Sequence, residues 1–331
     1  MPILPTRYGP LAVPEGEDLI GTFLASYGEW AWLETAFVSA QIADGARVLD
    51  GGAFLGTFGL GLSMVRRLGA LCLVEANPEV LPLLRQNMVG HPATVVAALV
   101  AAPGVPAGPG VLVPGNLAAT SYGAGGQGAV PATTVTLTAL RAAHGPFDLI
   151  KLDVEGMELD ILRSDAPGLR SDPAVLWLEC NQTLGSLEMA DLLLGWGRTV
   201  HYYAWPSFNP ANAFGQDVPL LPCAHEAGLL ALPAGSPAPT LAPGLLGILE
   251  PIGSPEDLRT ALWRTPRWGL AEWDGASAPA LQAMAGHYLC GEDRATFLQP
   301  GLDPPTPSWE QLKAALARAE AAEAALARLR P

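Results

Sequence analysis

The chain has 331 residues, is 50% hydrophobic and carries a formal net charge of −14. Its length suits one large domain, or one domain with an appendage, and its apolar content supplies a substantial core. Such acidity argues against a nucleic-acid binder, because phosphate contacts need Lys and Arg, and four scattered cysteines without a CxxC pair indicate neither a zinc site nor a disulfide framework.

In chain order, the opening MPILPTRYGPLAVPEGEDL lacks the basic patch and apolar run of a signal peptide, and residues 1–25 read as a lead-in. No stretch is long and apolar enough to span a bilayer, so a cytoplasmic location is expected. Residues 34–42 look helical. Strands and helices then alternate: strand 47–50, helix 60–68, strand 71–75, helix 79–88 and strand 94–100. Residues 101–132 are rich in Gly, Pro and Ala and read as surface loops around a short strand at 111–113. Strands at 133–137 and 148–154 follow, the latter running into a helix. Strand 174–180 and helix 186–195 come next. The series ends in a strand pair, 200–205 and 228–232, around a long loop. This rhythm predicts an α/β fold with a doubly wound, mostly parallel sheet. It places the main domain at 1–235. Residues 236–305, rich in Pro, Ala and Trp, are expected to form a helical appendage. The last segment, 306–331, is an amphipathic helix with Leu312, Ala315, Ala319, Ala322, Leu326 and Leu329 at three-four spacing. Such a helix docks on its own domain, stays solvated, or forms a homodimer seam.

Three segments put chemistry on this frame. In ARVLDGGAFLGTFGLGL, residues 46–62, a short strand ends at Asp50, and Gly52 and Gly56 permit a tight turn with close ligand approach. In LCLVEANPEVLPLLRQN, residues 71–87, a strand ends at Glu75, where an acid commonly binds ribose hydroxyls. Asn77 suits an N-cap and Pro78 the first helical turn. In FDLIKLDVEGMELDILR, residues 147–163, a buried strand ends among Asp153, Glu155 and Glu158. The carboxyl ends of such strands form the ligand crevice of open α/β sheets. Asp153 and Glu155, one residue apart, point the same way in extended backbone. Together they suit a general base, or two ligands for Mg²⁺. Lys151, if buried, needs a carboxylate partner, for which Asp153 is placed. Glu158 suits helix capping as well as function.

Together these segments resemble the FkbM family of S-adenosylmethionine-dependent methyltransferases. Asp50, Gly52, Ala53 and Gly56 match its Asp-x-Gly-Ala-x-x-Gly turn. Glu75, Asn77 and Pro78 match its acid and Asn-Pro after the second strand. Lys151, Asp153, Glu155, Gly156 and Glu158 match its Lys-x-Asp-x-Glu-Gly-x-Glu hallmark. Tyr27-Gly28-Glu29-Trp30 looks like the family's opening motif, and the likeness runs to about residue 230. Where the family often has Leu-Asp, this chain has Leu137-Thr138.

The resemblance implies a class I, Rossmann-like methyltransferase with a final antiparallel strand and O-methylation of a sugar or glycan hydroxyl. Asp50, Gly52, Ala53, Gly56, Glu75 and Asn77 would then hold S-adenosylmethionine. Asp153 or Glu179, the acid ending the 174–180 strand, would serve as base. HYYAWPSFNPANAFGQD, residues 201–217, resembles an acceptor-side loop of some members. Its Phe208, Asn209 and Asn212, with Glu155, are the expected acceptor contacts, since aromatic faces pack on sugars and amides bond hydroxyls. No resident metal is assigned. Two alternatives remain at this stage: a nicotinamide-dependent oxidoreductase using Glu75, against which the missing first Gly of the turn counts, and a methyltransferase-like scaffold in a glycan-assembly complex.

Overall fold

The computed structural model describes residues 2–16, 18–105, 109–113, 116–122, 130–131, 133–221, 224–265 and 298, with side chains described outside 106–132. The lead-in is structured. A hairpin of β1 (Ile3–Thr6) and β2 (Gly9–Ala12) precedes α1 (Leu19–Tyr27) and α2 (Trp32–Ser39). Asn87 ties the hairpin to the domain. Its amide donates to the carbonyls of Ala12 and Leu55, and its Oδ1 accepts from the Ala12 amide at 2.7 Å.

The parallel framework follows as β3 (Arg47–Gly51), α3 (Thr57–Val65), β4 (Ala70–Glu75), α4 (Leu81–Asn87) and β5 (Ala93–Ala97). The strand expected at 94–100 is divided. β6 (Leu99–Val100) leaves the main sheet to pair in parallel with β10 (Thr134–Val135). Between them, the region expected to be loops carries a three-stranded antiparallel sheet of β7 (Pro109–Val113), β8 (Asn116–Tyr122) and β9 (Val130–Pro131). The strand expected at 133–137 stops early, because the Thr136 hydroxyl accepts from the Ala139 amide and caps α5 (Leu137–His144).

The chain continues through β11 (Leu149–Leu152), α6 (Glu158–Ser164), α7 (Ala166–Leu169), β12 (Val175–Glu179), α8 (Leu184–Gly195), β13 (Thr199–Pro206) and β14 (His225–Leu232). It then adds β15 (Ile248–Ile252) and α9 (Pro255–Arg264). The eight-stranded sheet has the order β15-β13-β14-β12-β11-β3-β4-β5. β12, β11, β3, β4 and β5 pair in parallel, and β14 runs antiparallel to both β12 and β13. The doubly wound, mostly parallel sheet with a reversed late strand is therefore present.

The sheet does not end at residue 235. β15 pairs antiparallel with β13, and α9 packs on α8, burying Leu258 and Leu262 in the same core as Ala190 and Leu193. Each buried leucine contributes about 1.5–3 kcal/mol, so residues 248–264 belong to the main fold. The expected helix at 306–331 lies outside the described residues.

Alternation along the strands makes two cores. Leu49, Val74, Ile150, Leu152, Leu176 and Leu178 face one side; Val48, Leu73, Leu149, Val175 and Trp177 face the other. Register sets one polar row on the second face, with Asp50 on β3 opposite Lys151 on β11, and Lys151 opposite Trp177 on β12. From β3 the chain winds first toward β4 and β5, then returns to β11 on the other side. The crevice at that switch point is the ligand position of such sheets.

Candidate active site

A cleft opens there, at the carboxyl ends of β3, β4 and β11. Five carboxylates line it (Glu34, Asp50, Glu75, Asp153 and Glu155), against one ammonium, Lys151. The buried cation sits at the centre of the group. Its Nζ is 3.1 Å from Asp153 Oδ2 and 3.5 Å from Asp50 Oδ1, and it lies over the Phe58 ring. Burial alone would favour neutral lysine. The charges of Asp153, Asp50 and Glu34 outweigh that and hold the ammonium above its ordinary range. Asp50 is wholly buried, with the Lys151 ammonium as its charged partner. Burial raises its carboxyl, and Lys151 pulls it back only in part.

Glu34 is the residue that sequence reasoning missed. It comes from α2, which crosses the polar row, and its Oε1 accepts the Trp177 indole N–H at 2.6 Å. Burial pushes its carboxyl up to about 7, against the pull of Lys151 and Trp177. The adjacent Thr35 also lines the cleft, and its buried hydroxyl has no partner.

Glu75 stands at the end of β4. Its Oε2 accepts from the Phe54 amide at 2.8 Å and its Oε1 from the Asn77 amide at 2.7 Å. Burial raises its carboxyl while those amides oppose the shift. Each oxygen keeps acceptor capacity toward the cleft, since a carboxylate offers about four lone-pair sites. The turn below it requires glycine. Gly52 has φ 79°, and a Cβ there would sit 1.8 Å from the Asp153 carbonyl oxygen. Three non-glycine residues lining the cleft also adopt left-handed backbone: Ala31 at φ 49°, Phe54 at 46° and Glu155 at 56°. Such conformations cost on the order of 1–3 kcal/mol each and cluster at functional sites.

Asp50, Gly52, Ala53, Glu75, Asp153 and Glu155 thus line one cleft. Other expected site residues do not. Gly56 is turned away, and a Cβ there would meet Met88 and Leu84 of the α4 layer. Asn77 is buried as a turn cap, its Oδ1 accepting from the Glu79 amide at 3.0 Å. Glu179 ends β12 two residues beyond Trp177 and is absent from the lining. Glu158 takes its capping role: its Oε1 accepts from the Val154 amide at 2.7 Å.

The 206–217 loop is held by Glu29. One Glu29 oxygen accepts from Asn209 Nδ2 at 2.7 Å; the other accepts from the Ala213 amide and pairs with Arg7 at 2.8 Å. Asn212 bonds only within the loop, to Asn209, Phe214 and Gln216. Phe208 packs on Tyr27, with ring centroids 5.4 Å apart. The two amides and the Phe208 ring therefore build the loop rather than face the main cleft. Asn209 and Asn212 line a second, smaller cleft on the far side of the 29–34 strap.

Among the described residues, no group of three or more His, Cys, Asp or Glu is arranged to hold a metal ion, and no helix is long and apolar enough to cross a membrane.

The strand order, the reversed β14 and the acids at the ends of β3, β4 and β11 define a class I, Rossmann-like methyltransferase fold. Residues 50–198 match the family model described as Methyltransferase FkbM domain. The chain carries that domain and is an S-adenosylmethionine-dependent methyltransferase. Solved structures similar to it include three methyltransferase-fold proteins. Precorrin-6y C5,15-methyltransferase from Geobacter metallireducens is 14% identical over 61% of this chain and 87% of its own, with a TM-score of 0.38. Methyltransferase FkbM from Methylobacillus flagellatus is 17% identical over 46% of this chain, with a TM-score of 0.32, and only 38% of its length is spanned. Aeropyrum pernix fibrillarin, solved with natively bound S-adenosyl-L-methionine, is 14% identical over 60% of this chain and 74% of its own, with a TM-score of 0.36. No curated protein sequence matches significantly.

Proposed function

We infer that this enzyme moves a methyl group from S-adenosylmethionine to a hydroxyl oxygen of a sugar, a glycan or a related small molecule, in the cytoplasm. The observation that carries the reading is the charge of the cleft. Five carboxylates face one ammonium, Lys151, which the buried Asp50 shares with Asp153. This setting attracts a ligand with a sulfonium and an ammonium and repels a pyrophosphate, which separates the methyl donor from a nicotinamide dinucleotide. The free, buried Cys72 suits a reducing compartment.

Glu75 would hold the ribose hydroxyls, Asp50 the amino-acid ammonium, and the apolar Ala76, Ala98 and Leu99 the base. The bound cofactor supplies an electrophilic methyl carbon. The chain's own task is to align the acceptor oxygen, exclude water and remove a proton from a weakly acidic hydroxyl. Asp153 would take the last step; it lines the cleft and its Oδ2 accepts from Lys151. Asp153 and Glu155 are also the two carboxylates an Mg²⁺ would draw on, and a chelator titration reads that dependence. Transfer of labelled methyl to a glycan panel tests the reading. Asp153→Asn is expected to lower turnover by about 10²–10⁴-fold with cofactor binding retained. Retained turnover would clear Asp153 of the base role, and no transfer to any hydroxyl would remove the acceptor class.

A further inference from the structure

We propose that the acceptor is a cationic hydroxyl compound, an aminosugar, and that the cleft rejects acidic, phosphorylated and nucleotide-linked sugars. The proposal rests on the hydroxyl-methylation reading and narrows its acceptor to one charge class.

Negative charge is left over once the cofactor is bound. With every group ionised, the five carboxylates of the cleft outweigh Lys151 by four charges. S-adenosylmethionine brings a single net positive charge, its sulfonium and ammonium against its carboxylate. Protonation of Glu34, whose carboxyl is pushed up to about 7, removes one more negative charge. The loaded site therefore stays negative. Asp153 and Glu155 hold that charge where an acceptor arrives from solvent: the Asp153 side chain is 40% exposed, and Glu155 is exposed.

The segments that start at the crevice offer nothing to balance it. The connections leaving the carboxyl ends of β3, β4, β5, β11 and β12 are residues 52–65, 76–84, 98–140, 153–162 and 180–197, and they contain no Lys, Arg or His. The lead-in and strap, 8–46, and the 207–224 loop contain none either. Basic residues come where the chain turns back: Arg66 follows α3, and Arg85, Arg141 and Arg163 stand in the last turns of α4, α5 and α6. Charge is thus sorted along the strand axis, with the acids at the end that carries the chemistry.

Lys151, the one cation among the described residues lining the cleft, does not serve an anionic acceptor. Its side chain is 5% exposed and lies 3.1 Å from Asp153 and 3.5 Å from Asp50. An entering anion would meet like charge with no partner, which is how a site rejects a ligand. A cation is drawn by the same field, and clefts lined by one sign of charge raise on-rates by about 10–10³-fold. An ammonium beside the reacting hydroxyl also favours its deprotonated form, which eases proton removal by Asp153.

The test uses methyl hexopyranosides in matched amino, neutral and uronate forms. Each is titrated calorimetrically into the full chain saturated with S-adenosylhomocysteine, and each is assayed for methyl transfer. Affinity and kcat/KM should fall in the order amino, neutral, uronate, by at least about tenfold from first to last at low salt. The ratio should collapse at about 1 M salt, where the screening length is about 3 Å. Glu155→Gln should lower the ratio several-fold. Because both glycosides are read on one preparation, a partly misfolded variant still reports it. A uronate bound or methylated as well as its amino counterpart, or a ratio indifferent to salt, overturns the proposal. The charge order kept in binding, with no methyl transfer to any hydroxyl, counts instead against the underlying functional reading. No binding by any glycoside overturns both.

Discussion

Replacing Lys151 with Met removes the charge at the centre of the site while keeping most of the side chain's volume. Lys151 is 4% exposed and Asp50 is wholly buried, with their charged atoms 3.5 Å apart. Removing one partner of a buried pair costs about 3–5 kcal/mol, because the other charge stays behind. At roughly 2–4 °C per kcal/mol for a large domain, the melting temperature should fall by about 6–20 °C. The sign of the pH dependence follows from the raised carboxyls of Asp50 and Glu34. A carboxyl whose folded value is raised favours the fold while protonated and loses that contribution as pH rises through the folded value. The variant raises both carboxyls further, so its penalty should be largest above about pH 7 and shrink below it, as Glu34 takes up a proton. Lys151 itself is raised, so in the wild type its contribution persists through the whole neutral range and fades only in strong alkali. Thermal unfolding followed by circular dichroism on either side of the Glu34 value reads the difference. A penalty under about 1 kcal/mol, or one identical on the two sides, would refute a buried, charge-coupled cluster.

Glu34→Gln keeps an acceptor for Trp177 and removes a charge that titrates at about 7. In the wild type, calorimetry should show S-adenosylmethionine affinity weakening several-fold as pH falls through that value, with S-adenosylhomocysteine, which lacks the sulfonium, much less affected; the variant should flatten the dependence. Gly52→Ala forces a Cβ onto the Asp153 carbonyl and a side chain into left-handed backbone. It should cost more than about 1 kcal/mol in chemical denaturation and abolish cofactor binding.

The framework was readable because strands buried on both faces are continuous apolar runs. Residues 149–152 and 175–178 show this, and each run ends in an acid that marks the crevice. Asp50, Glu75 and Asp153 could be placed on that basis. Glu34 could not, since an acid on a helix ordinarily reads as solvated. Its burial appears only once α2 lies across the Asp50–Lys151–Trp177 row. One trace existed in the sequence: Leu33, Phe37 and Val38 surround Glu34, and no Lys or Arg stands three or four residues away. Glu179, also a strand-end acid, ends β12 and is not among the residues lining the cleft. Asn209 and Asn212 looked like free amides because loop-internal bonding depends on Glu29, about 180 residues away in sequence. β15 was hidden by Pro251, which an edge strand accepts but which breaks the strand pattern.

Calorimetric titration of S-adenosylmethionine into the wild-type chain and into Glu75→Ala tests the central claim most directly, with NAD as a comparison ligand. Glu75 lies at the end of β4, held by two backbone amides and facing the acid-lined cleft. One S-adenosylmethionine should bind per chain, binding should be lost in the variant, and NAD should not bind. An intact chain that ignores S-adenosylmethionine, or one that binds NAD in its place, would contradict the account.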